Sequence, residues 1–236
     1  MKKLITLLSC INLFALIQAE EEQSHGLDFE RKVIDQMLGR TYTEDWDIPA
    51  AANRIHPNIP ASIKFIKWGN AIYMGDALRQ ITITKPFEMI VGFYDIAPSQ
   101  EALQVLATHS ILIPPEKWRT LWGSVTPQDI QKLQAIAKTG DIEEAREAAK
   151  TEAARLRALT KGMDINPKIN SEQRRIQCSI PFAMFYQFFL KDPQPEPQKK
   201  PELWGKPFPA FIPIGERTKL ALTNRSVAIS TNASKK

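Results

Sequence analysis

Cysteine is nearly missing from this 236-residue chain, which holds only Cys10 and Cys178. Cys10 lies in an N-terminal segment that reads as removable, so no disulfide framework and no Cys-x-x-Cys zinc site can be built. Histidine is almost as scarce. His25, His56 and His109 have no partner at metal-ligand spacing, and no His-Glu-x-x-His occurs. The 10 glycines form no phosphate-cradling loop, and there is no Gly-x-Ser-x-Gly elbow. A nucleophilic Cys178 would need a base beside it. Its near neighbours Arg174 and Arg175 are not bases, so a buried structural thiol is the simpler reading. Beyond the N-terminal segment, no stretch reaches the roughly 18 apolar residues that a membrane span needs. Zinc hydrolases, serine hydrolases, nucleotide-binding loops and stable membrane insertion are thereby set aside.

What is present is an ordinary globular composition. Hydrophobic residues make up 43% and charged residues 24%, enough to bury a core and too apolar for global disorder. The net charge of +5 is unevenly spread. Residues 20–190 carry 20 Lys and Arg against 22 Asp and Glu, whereas residues 191–236 carry 9 against 4. The basicity belongs to the C-terminal stretch, not to the body of the chain.

Lys2 and Lys3, the apolar run from Leu4 to Ile17 and the small Ala19 before Glu20 have the layout of a secretory signal peptide over residues 1–19. Leu7-Leu8-Ser9-Cys10 is a poor lipoprotein box, because the apolar run continues seven residues beyond the cysteine. The reading is an exported, periplasmic or secreted protein. A start near residue 25 would instead make it cytoplasmic.

Residues 20–190 read as one α/β domain, a central mixed sheet flanked by helices. Leu27 to Leu38 has a helical apolar stripe through Leu27, Ile34 and Leu38, and Glu30 points with it. Trp46 to Pro49 is a short strand, residues 50–60 a loop, and Ser62 to Trp68 a strand with Ser62, Lys64 and Ile66 on one face. Phe87 to Tyr94 is apolar on both faces, as a central strand must be. Ser99 to Thr108 reads as helix and Ile111 to Ile113 as a strand ended by two prolines. Thr126 opens a helix, and Ile142 to Leu159 is a long one. Arg174 to Ile180 is a strand, and Phe182 to Leu190 an aromatic helix or strand. Residues 191–236, with seven prolines between Pro193 and Pro213, read as an extended or disordered basic tail, from which Trp204, Phe208 and Phe211 could dock back.

The chemistry left over is carboxylate and lysine. Glu30 on the first helix, Asp47 at a strand end and Lys64 on the next strand would, if they converge, suit a hard divalent cation, with Lys64 stabilising negative charge. Equally, Asp47 reads as a turn carboxylate and Lys64 as a strand lysine.

Five pieces in order are Gly26-Leu27-Asp28-Phe29-Glu30, Trp46-Asp47-Ile48-Pro49, Pro60-Ala61-Ser62-Ile63-Lys64, Gly75-Asp76-Ala77-Leu78-Arg79-Gln80 and the apolar strand Phe87 to Tyr94. Together they resemble restriction-endonuclease-like proteins of the PD-(D/E)XK nuclease superfamily. Asn166-Pro167-Lys168-Ile169, followed by Gln173 to Ile180, is similar to a C-terminal motif of some members. The resemblance spans residues 26–190. It implies Mg²⁺- or Mn²⁺-dependent cleavage of double-stranded DNA, with room for a homodimer. Asp47 would be the metal aspartate, Lys64 the motif lysine and Glu30 the first-helix acid. The position two before the lysine is normally acidic and here is Ser62, so Glu30 or Asp76 would have to supply the second metal ligand. Lys168, Arg174, Arg175 and Gln177 are the expected DNA contacts, since arginine suits phosphate or guanine and glutamine suits adenine. The alternative is a non-catalytic exported binding protein that keeps this fold.

Overall fold

The computed structural model describes residues 28–34, 46–97 and 102–214. The expected leader, Leu27, Leu38 and residues 215–236 lie outside them. Among the described residues, no helix is long and apolar enough to cross a membrane.

The architecture is α/β, with a mixed sheet flanked by helices. The four-stranded sheet has the order β1-β3-β4-β9, from Ala61–Lys67 (β1), Phe87–Ile96 (β3), Ala102–Ile113 (β4) and Phe211–Pro213 (β9). β1 runs parallel to β3, while β3/β4 and β4/β9 are antiparallel. A second, three-stranded antiparallel sheet has the order β2-β6-β5, from Ile72–Asp76 (β2), Arg174–Ile180 (β6) and Asp164–Ile169 (β5).

β3 is the spine of the molecule, as its unbroken apolar run requires. Phe87, Met89, Val91 and Phe93 enter one core, shared with the three-stranded sheet and with helices Pro115–Leu121 (α3), Pro127–Lys138 (α4) and Ile142–Arg157 (α5). Ile90 and Tyr94 enter a second core on the opposite face, with Ile63 and Phe65 from β1, Leu103 and Val105 from β4, and Phe29 and Val33 from the helix over residues 28–34 (α1). The buried stripe of α1 is therefore Phe29, Val33 and Ile34, and Glu30 sits half-buried at its flank. Gly92 makes this packing feasible. A Cβ there would overlap the Phe29 ring, which stacks on Phe65 with centroids 4.3 Å apart.

Local chemistry fixes the helix starts. Thr126 and Asp129 form a reciprocal capping box on α4, with Pro127 at the first turn, and Asp141 accepts from two backbone amides at the head of α5. Residues Phe182–Phe185 (α6) continue into a π-helical turn, Tyr186–Leu190.

Two sequence expectations are corrected. Within the expected Ser99 to Thr108 helix, the described residues 102–108 are strand. From Ala102 on, the chain is β4, which runs through the expected Ile111–Ile113 strand as one 12-residue element. Glu101, Ala102, Leu103 and Gln104 are good helix formers, but the alternating burial of Leu103 and Val105 in the second core, paired against β3, overrides that weak preference. Nor does the chain leave the fold at residue 190. Glu202–Leu203 (β7) and Lys206–Pro207 (β8) form a small hairpin, and β9 adds an edge strand to the main sheet. Leu203, Phe208, Ile212 and Ile214 are buried in the second core. The prolines fall between these apolar anchors and do not prevent docking. Trp204 and Phe208 dock as anticipated, while Phe211 is 55% exposed.

Candidate functional site

Asp47 and Lys64 come together. An isolated antiparallel bridge between Ile48 and Ala61 lays the Trp46–Pro49 segment along the edge of β1. Asp47 Oδ2 then accepts from the Ile63 amide at 2.6 Å, from Ser62 Oγ at 3.2 Å and from Lys64 Nζ at 3.2 Å. Lys64 Nζ also donates to the Ile63 carbonyl at 2.9 Å. The outward N–H and C=O of Ile63 are thus both occupied. The cluster ties down the edge of β1, where an unpaired strand would otherwise offer itself to another chain.

As placed, Asp47 Oδ2 is surrounded by three donors, a hydroxyl, an amide N–H and an ammonium. Asp76 is engaged elsewhere. It caps Ala77–Ile81 (α2) by accepting from the Arg79 amide at 2.9 Å, and it accepts from Gln134 Nε2 at 3.3 Å. Among the described residues, no three His, Cys, Asp or Glu side chains gather closely enough to hold a metal. Glu30, Asp47 and Asp76 are all among those residues, so the expected ligand set is not assembled.

The expected DNA contacts divide between two faces. Antiparallel pairing sets Lys168 opposite Arg175 and Asn166 opposite Gln177. Lys168 and Arg175 are exposed, and neither forms an ion pair among the described residues. Alternation sends Arg174 to the other face, with Ile176 and Cys178, where its guanidinium donates to the Gly140 carbonyl at 2.9 Å. Arg174 therefore fastens the turn between α4 and α5.

Sequence reasoning passed over two features. Glu88 on β3 is fully buried, in the second core. Its Oε1 accepts from Ser110 Oγ at 2.5 Å and Trp204 Nε1 at 2.8 Å, and its Oε2 accepts from Asn53 Nδ2 at 2.8 Å. His56 Nδ1 lies 3.1 Å from Oε2. Burial pushes the Glu88 pKa up, but Ser110, His56, Trp204 and Asn53 together outweigh it and hold the carboxyl below its ordinary range. An acid inside an otherwise apolar strand was the available signal. The second feature is Tyr73 on β2, 45% exposed on the same sheet face as Lys168 and Arg175. Its place on this face is set by the pairing of β2 with β6, which no local pattern in residues 72–76 shows. Cys178 is fully buried, and burial pushes its thiol far above the usual range, which suits no nucleophile.

No family model, no curated protein and no solved structure matches this chain. The likeness to PD-(D/E)XK nucleases rests on the sequence pieces alone.

Proposed function

We propose that this chain is a DNA-binding protein whose contact surface is the outward face of β5 and β6. One observation carries the reading: Lys168 and Arg175 face each other directly across paired strands. Like charges so placed destabilise a sheet, and an anion seated between them turns that cost into attraction. Asn166 and Gln177 form the next cross-strand pair on the same face, amides suited to base edges. The test is fluorescence anisotropy of labelled DNA, duplex and single-stranded, against the full chain over a salt series. Lys168→Ala and Arg175→Ala should each weaken binding and lower the salt slope by about one phosphate contact. Arg174→Ala should leave the slope unchanged. Binding to neither form of DNA would refute the reading.

A second reading, metal-assisted hydrolysis of DNA, keeps one observation in its favour, the 3.2 Å pairing of Asp47 with Lys64. The three donors to Asp47 all sit on Oδ2, so this reading has a cation taken through the other carboxylate oxygen or displacing some of them. Incubation of duplex DNA with Mg²⁺ or Mn²⁺, with and without chelator, decides it. Cleavage lost in Asp47→Ala and in Lys64→Ala would establish the enzyme. Ser62→Glu, which restores the acid of the family pattern, should then raise activity. Intact DNA under both metals leaves the binding protein.

A further inference from the structure

The register of the three-stranded sheet puts more on its outward face than two cations. Tyr73, Ser179 and Asp164 lie across the sheet in one row. Two residues along β6, Gln177 pairs with Asn166 on one side and Asp76 on the other in a second row, and Arg175 and Lys168 form a third. Pairs directly opposite share a face, and so do alternate residues of one strand. Cys178, Ile176 and Ile180 point the other way, into the first core. Asn166 Nδ2 donates to Ser179 Oγ at 3.0 Å, and Ser179 is itself buried, so the exposed parts of this face are Tyr73 at one end and Lys168 and Arg175 at the other. At one end stands Tyr73, a large aromatic left 45% exposed although its strand neighbours Ile72 and Met74 are buried in the first core.

We infer that this face takes single-stranded nucleic acid, one unpaired base stacking on Tyr73 and the phosphates of the adjoining nucleotides lying over Lys168 and Arg175. The inference rests on the nucleic-acid reading above and names the form of ligand. In a duplex the flat faces of the bases are spent on one another, so an exposed ring on an open sheet offers a duplex little. To an unpaired base it offers a stacking partner of any sequence. Charge orders the strand along the sheet. Asp164, in the Tyr73 row, repels phosphate and can accept from the amino edge of a base. The two cations sit four β6 residues away, ~14 Å along the strand, at the end where phosphate is attracted.

The experiment uses the full chain with three labelled probes of equal length: a deoxythymidine oligomer, a uridine oligomer and a blunt DNA duplex. At least one single strand should bind about tenfold or more tighter than the duplex. Tyr73→Ala should weaken single-strand binding about tenfold, within the range of one lost stacking contact, and Tyr73→Phe should retain it. Tyr73 is exposed, so thermal unfolding of both variants should match wild type, which separates a lost contact from a lost fold. Equal or tighter duplex binding overturns the single-strand inference and leaves the DNA-binding proposal standing. So does single-strand binding that survives Tyr73→Ala. If none of the probes binds, both fall.

Discussion

At the scale of single residues, the largest stakes lie at Glu88. A carboxylate with no solvent access is tolerated only while its neighbours donate to it. Ser110, Trp204 and Asn53 come from β4, from the C-terminal β7–β8 hairpin and from the loop before β1, so one side chain joins three separate stretches of chain. Glu88→Gln keeps the shape but turns an acceptor into a donor facing donors. It should cost about 3 kcal/mol, read as a lower urea midpoint at unchanged slope. Trp204→Phe removes one donor and should cost about 1–2 kcal/mol. A midpoint unmoved by Glu88→Gln would mean that the network contributes nothing. Gly92 carries a steric constraint instead. Gly92→Ala drives a methyl against the ring of Phe29 and should cost about 1–3 kcal/mol in the same measurement.

At the scale of elements, the C-terminal segment behaves as a strap and not as a tail. Gln198 binds the backbone of β4 through the Thr108 amide at 3.1 Å, and Thr108 Oγ1 donates to the Glu202 carbonyl at 2.8 Å. Leu203, Phe208, Ile212 and Ile214 close the second core over Phe29, Phe65 and Leu103. Truncation after Lys191 should therefore abolish cooperative unfolding or lower stability by several kcal/mol, since burying one large apolar side chain alone is worth about 2 kcal/mol. A truncated chain that melts like the full one would show that the strap is ornamental. This element also shows what a sequence can hide. Low hydrophobicity and prolines marked residues 191–236 as non-core, yet the apolar residues that matter are few and widely spaced, and composition averages them away. β4 was hidden differently: local helix preference and period-two burial disagreed, and only pairing with β3 decided between them. Where pattern and packing agree, as in β3, β6, α4 and α5, the sequence was enough. The candidate site was legible in part. Alternation along β6 places Arg175 and Gln177 on one face, while the Asp47–Lys64 contact and the seating of Lys168 opposite Arg175 come from pairings between distant segments. The turning of Arg174 away from Arg175 and the Asp76 cap on α2 are local and legible from alternation and capping, whereas the Asp76–Gln134 contact depends on a pairing that no local window contains.

At the scale of the whole molecule, the two cores respond to acid in the same direction from opposite faces of the main sheet. His109 on β4 lies among Phe93, Phe185 and Tyr186, with its Nε2 3.1 Å from the Tyr186 hydroxyl. Burial lowers its pKa from 6.5 to about 4, with the Asp192 charge pulling weakly the other way. The folded chain therefore keeps His109 neutral where the unfolded chain already binds a proton. Its contribution is complete above pH 6.5 and is lost as pH falls from 6.5 toward 4, to a total of about 3 kcal/mol. Glu88 adds to this at lower pH. Its folded pKa lies below the ordinary carboxylate value, so its contribution is present above that value and fades as the carboxyl is protonated in acid. The stability of the full chain, measured by urea unfolding from pH 7.5 down to pH 2.5, should fall in two stages, first with His109 as pH drops from 6.5 toward 4 and then with Glu88 below pH 4.5. His109→Gln keeps a polar partner for Tyr186 but does not titrate, so it should flatten the first stage and leave the second. A profile identical to wild type between pH 6.5 and 5 would remove His109 from the account and place the acid sensitivity elsewhere.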